Sequence, residues 1–169
     1  MKTILSILLL SITTYSFSQE VYFDDEVEET VIVEEQKSNL NWLTNIDEAI
    51  ALSKKNSKPI LIYFNGSDWC SPCVVLKEDF FETPEFEKRA DKLILVMIDY
   101  PRRKDILSAS QMKYNREMIT KYNKSKTFPK LIMLNKNGNQ VGKLSGYSSF
   151  NTYHDTSHHY KFVDKYISQ

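Results

Sequence analysis

The 169-residue sequence holds only two cysteines, Cys70 and Cys73. A framework stapled by several disulfides is therefore ruled out. Histidine is scarce too: His154, His158 and His159 all lie far along the chain from the cysteines, so a zinc site built on that pair lacks further ligands at matching spacing. Charge of one sign is not in excess, since 22 basic residues face 22 acidic ones, and nothing argues for nucleic acid as a partner. The apolar run from Ile4 to Ile12, broken by Ser6 and Ser11, is too short to span a bilayer comfortably. Internal repeats and low-complexity arrays are absent. The length leaves room for one domain with a proper core.

The two cysteines organise what is there. They close the stretch Asn65-Gly66-Ser67-Asp68-Trp69-Cys70-Ser71-Pro72-Cys73. Before it, Pro59 to Phe64 reads as a short buried strand, and after it Val74 to Phe80 keeps the apolar spacing of a helix. A strand, a tight turn and a CxxC opening a helix make a redox signature. The first helical turn has backbone N–H groups without intrahelical partners and carries partial positive charge. A thiolate is stabilised there, so Cys70 is expected to ionise more easily than a free cysteine. Cys73 lies one turn further in, close enough to close a small ring, and Pro72 suits a position where a missing N–H costs little. Cys70 is read as the attacking thiol that forms a mixed disulfide and Cys73 as the thiol that resolves it. An inert structural disulfide is the alternative, although so short a loop stabilises little by chain entropy.

The neutral total conceals a split. Glu20 to Glu35 contains eight acidic residues and no basic one. Setting these and Lys2 aside leaves 21 basic residues against 14 acidic ones, an excess of about seven. Residues 1–18 have the form of a secretory signal: Lys2, the apolar run, then small residues at Ser16 and Ser18 for a signal peptidase. An uncleaved anchor is the alternative. Residues 19–38 read as an acidic flexible leader in which Val31-Ile32-Val33 could form one edge strand. Residues 39–169 form the folded domain. A periplasmic or secreted protein is expected, with no stable membrane insertion after signal cleavage.

Within the domain, Asn45 or Thr44 can cap a helix over about 46–56, and a strand follows over 60–64. The motif helix ends before Thr83-Pro84, because the residue before proline disfavours helix. Pro84 opens a short helix to Arg89, and Leu93 to Ile98 is a second apolar strand. Arg102-Arg103-Lys104 reads as solvated loop. A helix over about 108–122 has Met112, Met118, Ile119 and Tyr122 on one face. Phe128-Pro129 precedes a third strand over 130–134, and Asn137-Gly138 turns it into a hairpin with 140–144. Phe150, Tyr153, Ser157, Tyr160 and Ile167 mark one side of a last helix. His154 and His158 would share a face of that helix and could bind a metal; without a third ligand they read as its polar flank, and no metal is expected.

Strand, CxxC helix, strand, helix, Phe-Pro strand, hairpin strand and helix, in that order, resemble the thioredoxin superfamily. The chain is most similar to thioredoxin-like proteins that bacteria, notably the Bacteroidetes group, export to the periplasm. The resemblance runs from Leu40 to the C-terminus on Trp42, Lys58-Pro59, Gly66 to Cys73, Asp99-Tyr100-Pro101, Phe128-Pro129, Asn137-Gly138 and Gly146-Tyr147. It implies an α/β thioredoxin fold, a central mixed sheet with helices on both faces. It makes Cys70 the exposed nucleophile, Cys73 the buried resolving thiol and Trp69 their shield, with Ser71 and Pro72 as the inner residues that tune the potential. Pro129 matches the proline that is cis in this family and faces the disulfide, presenting the Phe128 backbone to a substrate strand.

The chain departs from the family's pattern in several places. No acid stands at or near Tyr63, where thioredoxins keep a buried aspartate that relays a proton for the second cysteine. Glu78 and Asp79 are the acids on the motif helix, Val74 replaces the usual lysine, and Ser71-Pro72 replaces Gly-Pro. The resemblance implies thiol–disulfide exchange on exported proteins, as a reductase recharged by a membrane electron donor. The Cys70–Cys73 disulfide serves as redox centre and no cofactor is needed. No dimerisation segment stands out, so a monomer is expected. A binding module with a permanent disulfide is the competing class.

Overall fold

Three apolar runs become the central strands, because only such runs can be covered on both faces. They are β2 (Ile60–Asn65), β3 (Ile94–Asp99) and β4 (Lys130–Leu134). The computed structural model describes residues 40–147 and 154–168. The signal and leader assigned to residues 1–38, and the helix positions Phe150 and Tyr153, lie outside the described residues. Strand β1 (Trp42–Leu43) pairs parallel with β3, which pairs parallel with β2; β4 runs antiparallel to β2, and β5 (Gln140–Ser145) antiparallel to β4. The order is β1-β3-β2-β4-β5, a mixed sheet as expected.

Side chains alternate across the strands with period two. Leu61, Tyr63, Leu95, Leu131 and Met133 point to one face, under α2 (Ser71–Leu76), α3 (Pro84–Ala90) and α5 (Ser157–Ile167). Ile60, Ile62, Phe64, Val96 and Ile132 point to the other, under α1 (Ile46–Asn56) and α4 (Ala109–Tyr122). Helices therefore cover both faces, and both cysteines belong to the first layer.

The local signals explain the helix boundaries. Asn45, rather than Thr44, caps α1: its side chain accepts the amides of Asp47 and Glu48 at 2.8 and 3.2 Å. Thr83 caps α3 by accepting the Phe86 amide, with Pro84 in the first turn. The β4–β5 hairpin turns at Gly138, whose φ of 81° favours glycine and whose missing Cβ would sit 2.8 Å from Ile50.

The motif helix differs from the uniform helix expected up to Thr83. After α2, residues Lys77–Phe81 wind as a π turn, closed by the Glu82 amide to the Lys77 carbonyl at 3.0 Å. The wider turn brings neighbouring side chains nearer to one face. Phe80 and Phe81 consequently both enter the core, edge to face at 4.9 Å, and both meet Phe86 of α3. Helix α5 closes over this aromatic cluster. Arg89 holds Asp164 through two nitrogens at 2.6 and 3.0 Å, and Tyr160 bonds Thr83 at 2.7 Å.

Two of the three histidines, His154 and His159, depart from the polar flank expected of them. His154 precedes α5, with φ of 61°, and its Nδ1 lies 2.7 Å from Asp79. His158 is on the helix and exposed, while His159 is buried between Phe80 and Tyr147. Among the described residues no group of three or more His, Cys, Asp or Glu could hold a metal ion.

Candidate active site

Strand β2 delivers the chain to the end of the sheet at Asn65, and the motif loop follows at once. The amides of Trp69 and Cys70 bond the Gly66 carbonyl at 3.2 and 2.9 Å, so the loop closes on itself. Cys70 then takes the position before α2, and its carbonyl accepts the amides of Cys73 and Val74 at 2.9 and 3.2 Å. Cys70 and Cys73 form a disulfide with an S–S distance of 2.03 Å. Cys70, expected as the exposed thiol, is itself buried in the oxidised pair with 4% of its surface in solvent, against none for Cys73. Ser71 and Pro72 are exposed beside them.

Trp69 is fixed over this corner. Its indole N–H donates to the Tyr100 carbonyl at 2.7 Å, and its ring meets Phe128 edge to face at 5.3 Å. Gly66 makes the packing possible, since a Cβ there would lie 2.5 Å from the indole. Phe128 in turn stacks nearly parallel to Tyr100, at 6.4 Å. The loop after β3 is bound to the motif loop by two carboxylates. Asp99 accepts the Ser67 amide and hydroxyl at 2.9 and 2.6 Å, and Asp68 accepts the amides of Arg102 and Arg103. Desolvation pushes the Asp68 carboxyl up, but the amides of Arg103, Arg102 and Asp68 itself, with the Arg102 charge, together hold the group below its ordinary range. Arg102, read from the sequence as solvated loop, lies with its guanidinium 4.9 Å over the Trp69 ring. The signal for this cross-loop lattice is the pair Asp68-Trp69 and Asp99-Tyr100, but its partners are more than thirty residues apart.

The Phe128-Pro129 bond is cis. Because Phe64 at the end of β2 pairs with Lys130 at the start of β4, this turn leaves the sheet at the same end as the cysteine loop. Buried Asn123 holds the approach: its amide donates to the Thr127 carbonyl at 2.8 Å, and its oxygen accepts from the Thr127 amide and from Lys130 Nζ. Burial, then the nearby Lys143, pushes the Lys130 ammonium below its ordinary pKa. Sequence reading had not singled out Asn123 or Lys130; side-chain-to-backbone clamps leave no periodic trace.

Tyr63 occupies the place of the absent acid. Its hydroxyl donates to the Cys73 carbonyl at 3.0 Å, and burial, then the Asp99 carboxylate, pushes its pKa far up. The phenol therefore stays protonated in the neutral range and is a donor here, not a base. Of the acids on the motif helix, Glu78 is exposed, and Asp79 accepts from the Tyr147 hydroxyl besides contacting His154.

A family model described as thioredoxin-like matches residues 41–136. The disulfide bond reductase DsbH of Chlamydia pneumoniae is 32% identical over 108 residues, which is 63% of this chain and 63% of that protein. The thioredoxin-related protein DsbJ of the same organism is 27% identical over 109 residues, 64% of this chain and 31% of that protein. The chain thus spans less than two thirds of the length of these curated relatives. Among solved structures, a DsbH oxidoreductase superposes with a TM-score of 0.63 at 26% identity, covering 78% of this chain and 86% of that one.

Proposed function

The chain belongs to the thioredoxin-like family, and from that premise we propose that it exchanges thiols and disulfides with exported proteins, as a reductase. The observation that carries this reading is the Cys70–Cys73 disulfide at the start of α2, with Cys70 at 4% exposure in the outer position and Cys73 at none in the inner one. In the reduced protein the Cys70 thiolate, favoured by the partial positive charge at the start of α2, attacks a substrate disulfide. A mixed disulfide forms and one substrate thiolate leaves. The Cys73 thiolate then attacks Cys70 sulfur, the second substrate thiolate leaves, and two electrons have passed from the protein's dithiol to the substrate. The electrons travel in the dithiol itself, so no cofactor is invoked.

Trp69 shields the pair, Ser71 and Pro72 flank it, and the backbone at Phe128-Pro129 pairs with the extended substrate segment. Water accepts the Cys73 proton, because Tyr63 cannot. The reductase direction is supported by similarity to a protein named a disulfide bond reductase and by the Trp-Cys-x-Pro-Cys form. A membrane electron donor recharges the protein, which works as a monomer in the periplasm or outside the cell. Among the described residues no helix is long and apolar enough to cross a membrane. The test is equilibration of Cys70–Cys73 with glutathione or dithiothreitol buffers. A potential near that of thioredoxin, about −270 mV, is expected, whereas one near −120 mV would make the protein an oxidant. A disulfide that exchanges in neither buffer would sink the enzyme reading and leave a binding module.

A further inference from the structure

Beside the disulfide, Trp69, Tyr100 and Phe128 line a groove of about 400 Å³ whose remaining lining includes Arg102, Arg116 and Lys126. The three cations come from three separate segments: the loop after β3, helix α4 and the loop that Asn123 clamps. Among the described residues none of them forms an ion pair. Arg102 lies on the Trp69 ring, Arg116 Nε donates to the Met112 carbonyl of its own helix at 3.3 Å, and Lys126 is exposed. The neighbouring carboxylates are engaged. Asp68 takes the amides of Arg102 and Arg103 and feels the Arg102 charge, and Asp105 pairs with Arg103. The walls are therefore held in place before any partner arrives. Apolar surface is on offer between three cations, none of which forms an ion pair among the described residues, although Glu117 stands beside Arg116.

We infer that this groove is a specificity subsite for the substrate: it takes polypeptide segments that carry Asp or Glu within a few residues of the reacting cysteine, next to an apolar side chain. The inference rests on the exchange reading above and deepens it by naming the charge class of the substrate. An apolar side chain covers the Trp69 and Phe128 faces, while carboxylates meet guanidinium groups that favour them in paired geometry. A basic segment meets like charge and is disfavoured, so discrimination comes from repulsion as well as attraction. The exchange step itself is unchanged.

The test uses the reduced full chain and three synthetic disulfide peptides that differ only in flanking Glu, Gln or Lys. At about 0.01 M salt, where charges act over ~30 Å, the Glu peptide is expected to react roughly tenfold faster than the Gln peptide and the Lys peptide slowest. At about 1 M salt, where the reach falls to ~3 Å, the order should collapse. Arg116→Glu combined with Lys126→Glu should reverse the low-salt order. Equal rates for all three peptides at low salt would overturn the groove assignment while leaving exchange standing. Reaction with none of them would sink the exchange reading and this inference together. The salt series on the unaltered protein decides the matter even if the double variant fails to fold.

Discussion

Acidifying this protein from pH 7 to pH 4 should remove roughly 3 kcal/mol of folding stability through one side chain, His159. The imidazole is 5% exposed, between Phe80 at 5.5 Å and Tyr147 at 5.4 Å, and its Nδ1 has no hydrogen-bond partner among the described residues. Burial, then the charge of His158, pushes its pKa from 6.5 down to about 4; the Gly146 backbone and the Asp155 carboxylate oppose this and lose. The Tyr147 hydroxyl in turn donates to Asp79, which also engages His154. With the folded pKa below the unfolded one, the unfolded chain binds more protons between the two values. The contribution of neutral His159 is therefore complete above about pH 6.5, declines as the pH falls, and is gone below about pH 4. At about 1.36 kcal/mol per pKa unit, this is the roughly 3 kcal/mol stated. Urea melts of the wild type and His159→Phe over that range give the test, because the carboxylates are common to both proteins and, of the described ones with a shifted pKa, only Asp155 feels the His159 charge. A stability difference between the two that stays constant with pH would refute the reasoning.

Gly66→Ala should cost about 1–3 kcal/mol, since the new Cβ overlaps the indole of Trp69 and must push it from Tyr100; urea melts and Trp69 fluorescence would report both effects. Tyr63→Phe should cost about 1 kcal/mol in the same melts, through loss of the bond to the Cys73 carbonyl. Its exchange rate against pH should keep the wild-type shape, because the buried phenol never ionises in the working range; loss of a titrating limb would show that Tyr63 moves a proton after all.

What the sequence made legible was local or strongly periodic. The three central strands are continuous apolar runs, Asn45, Thr83 and Ser108 lie one residue before their helices, and the cysteine loop follows β2 directly. What it concealed depends on partners distant in the chain. β1 is two residues long and exists only because Trp42 and Leu43 meet Leu95 and Val96. The π turn places Phe80 and Phe81 in one core, a pattern that a helical period of 3.6 does not express. Asp68 and Asp99 look like loop acids until the loop they bind is in place. His159 looks polar until Phe80 and Tyr147 close on it. In the site, the cysteines and Phe128-Pro129 stood out from their neighbours, whereas the cations of the groove are scattered over three segments and converge only in space.

Phe128 packs against the clusters on both faces of the sheet. A side chain held from two sides cannot swing out as a loop residue would; to move it, both layers must loosen. The groove wall is in this sense part of the domain's cooperative unit rather than a lid upon it. Amides at the start of β4 should then exchange with solvent at the pace of global unfolding, and a segment seated on Phe128 should raise the melting temperature of the whole domain through mass action.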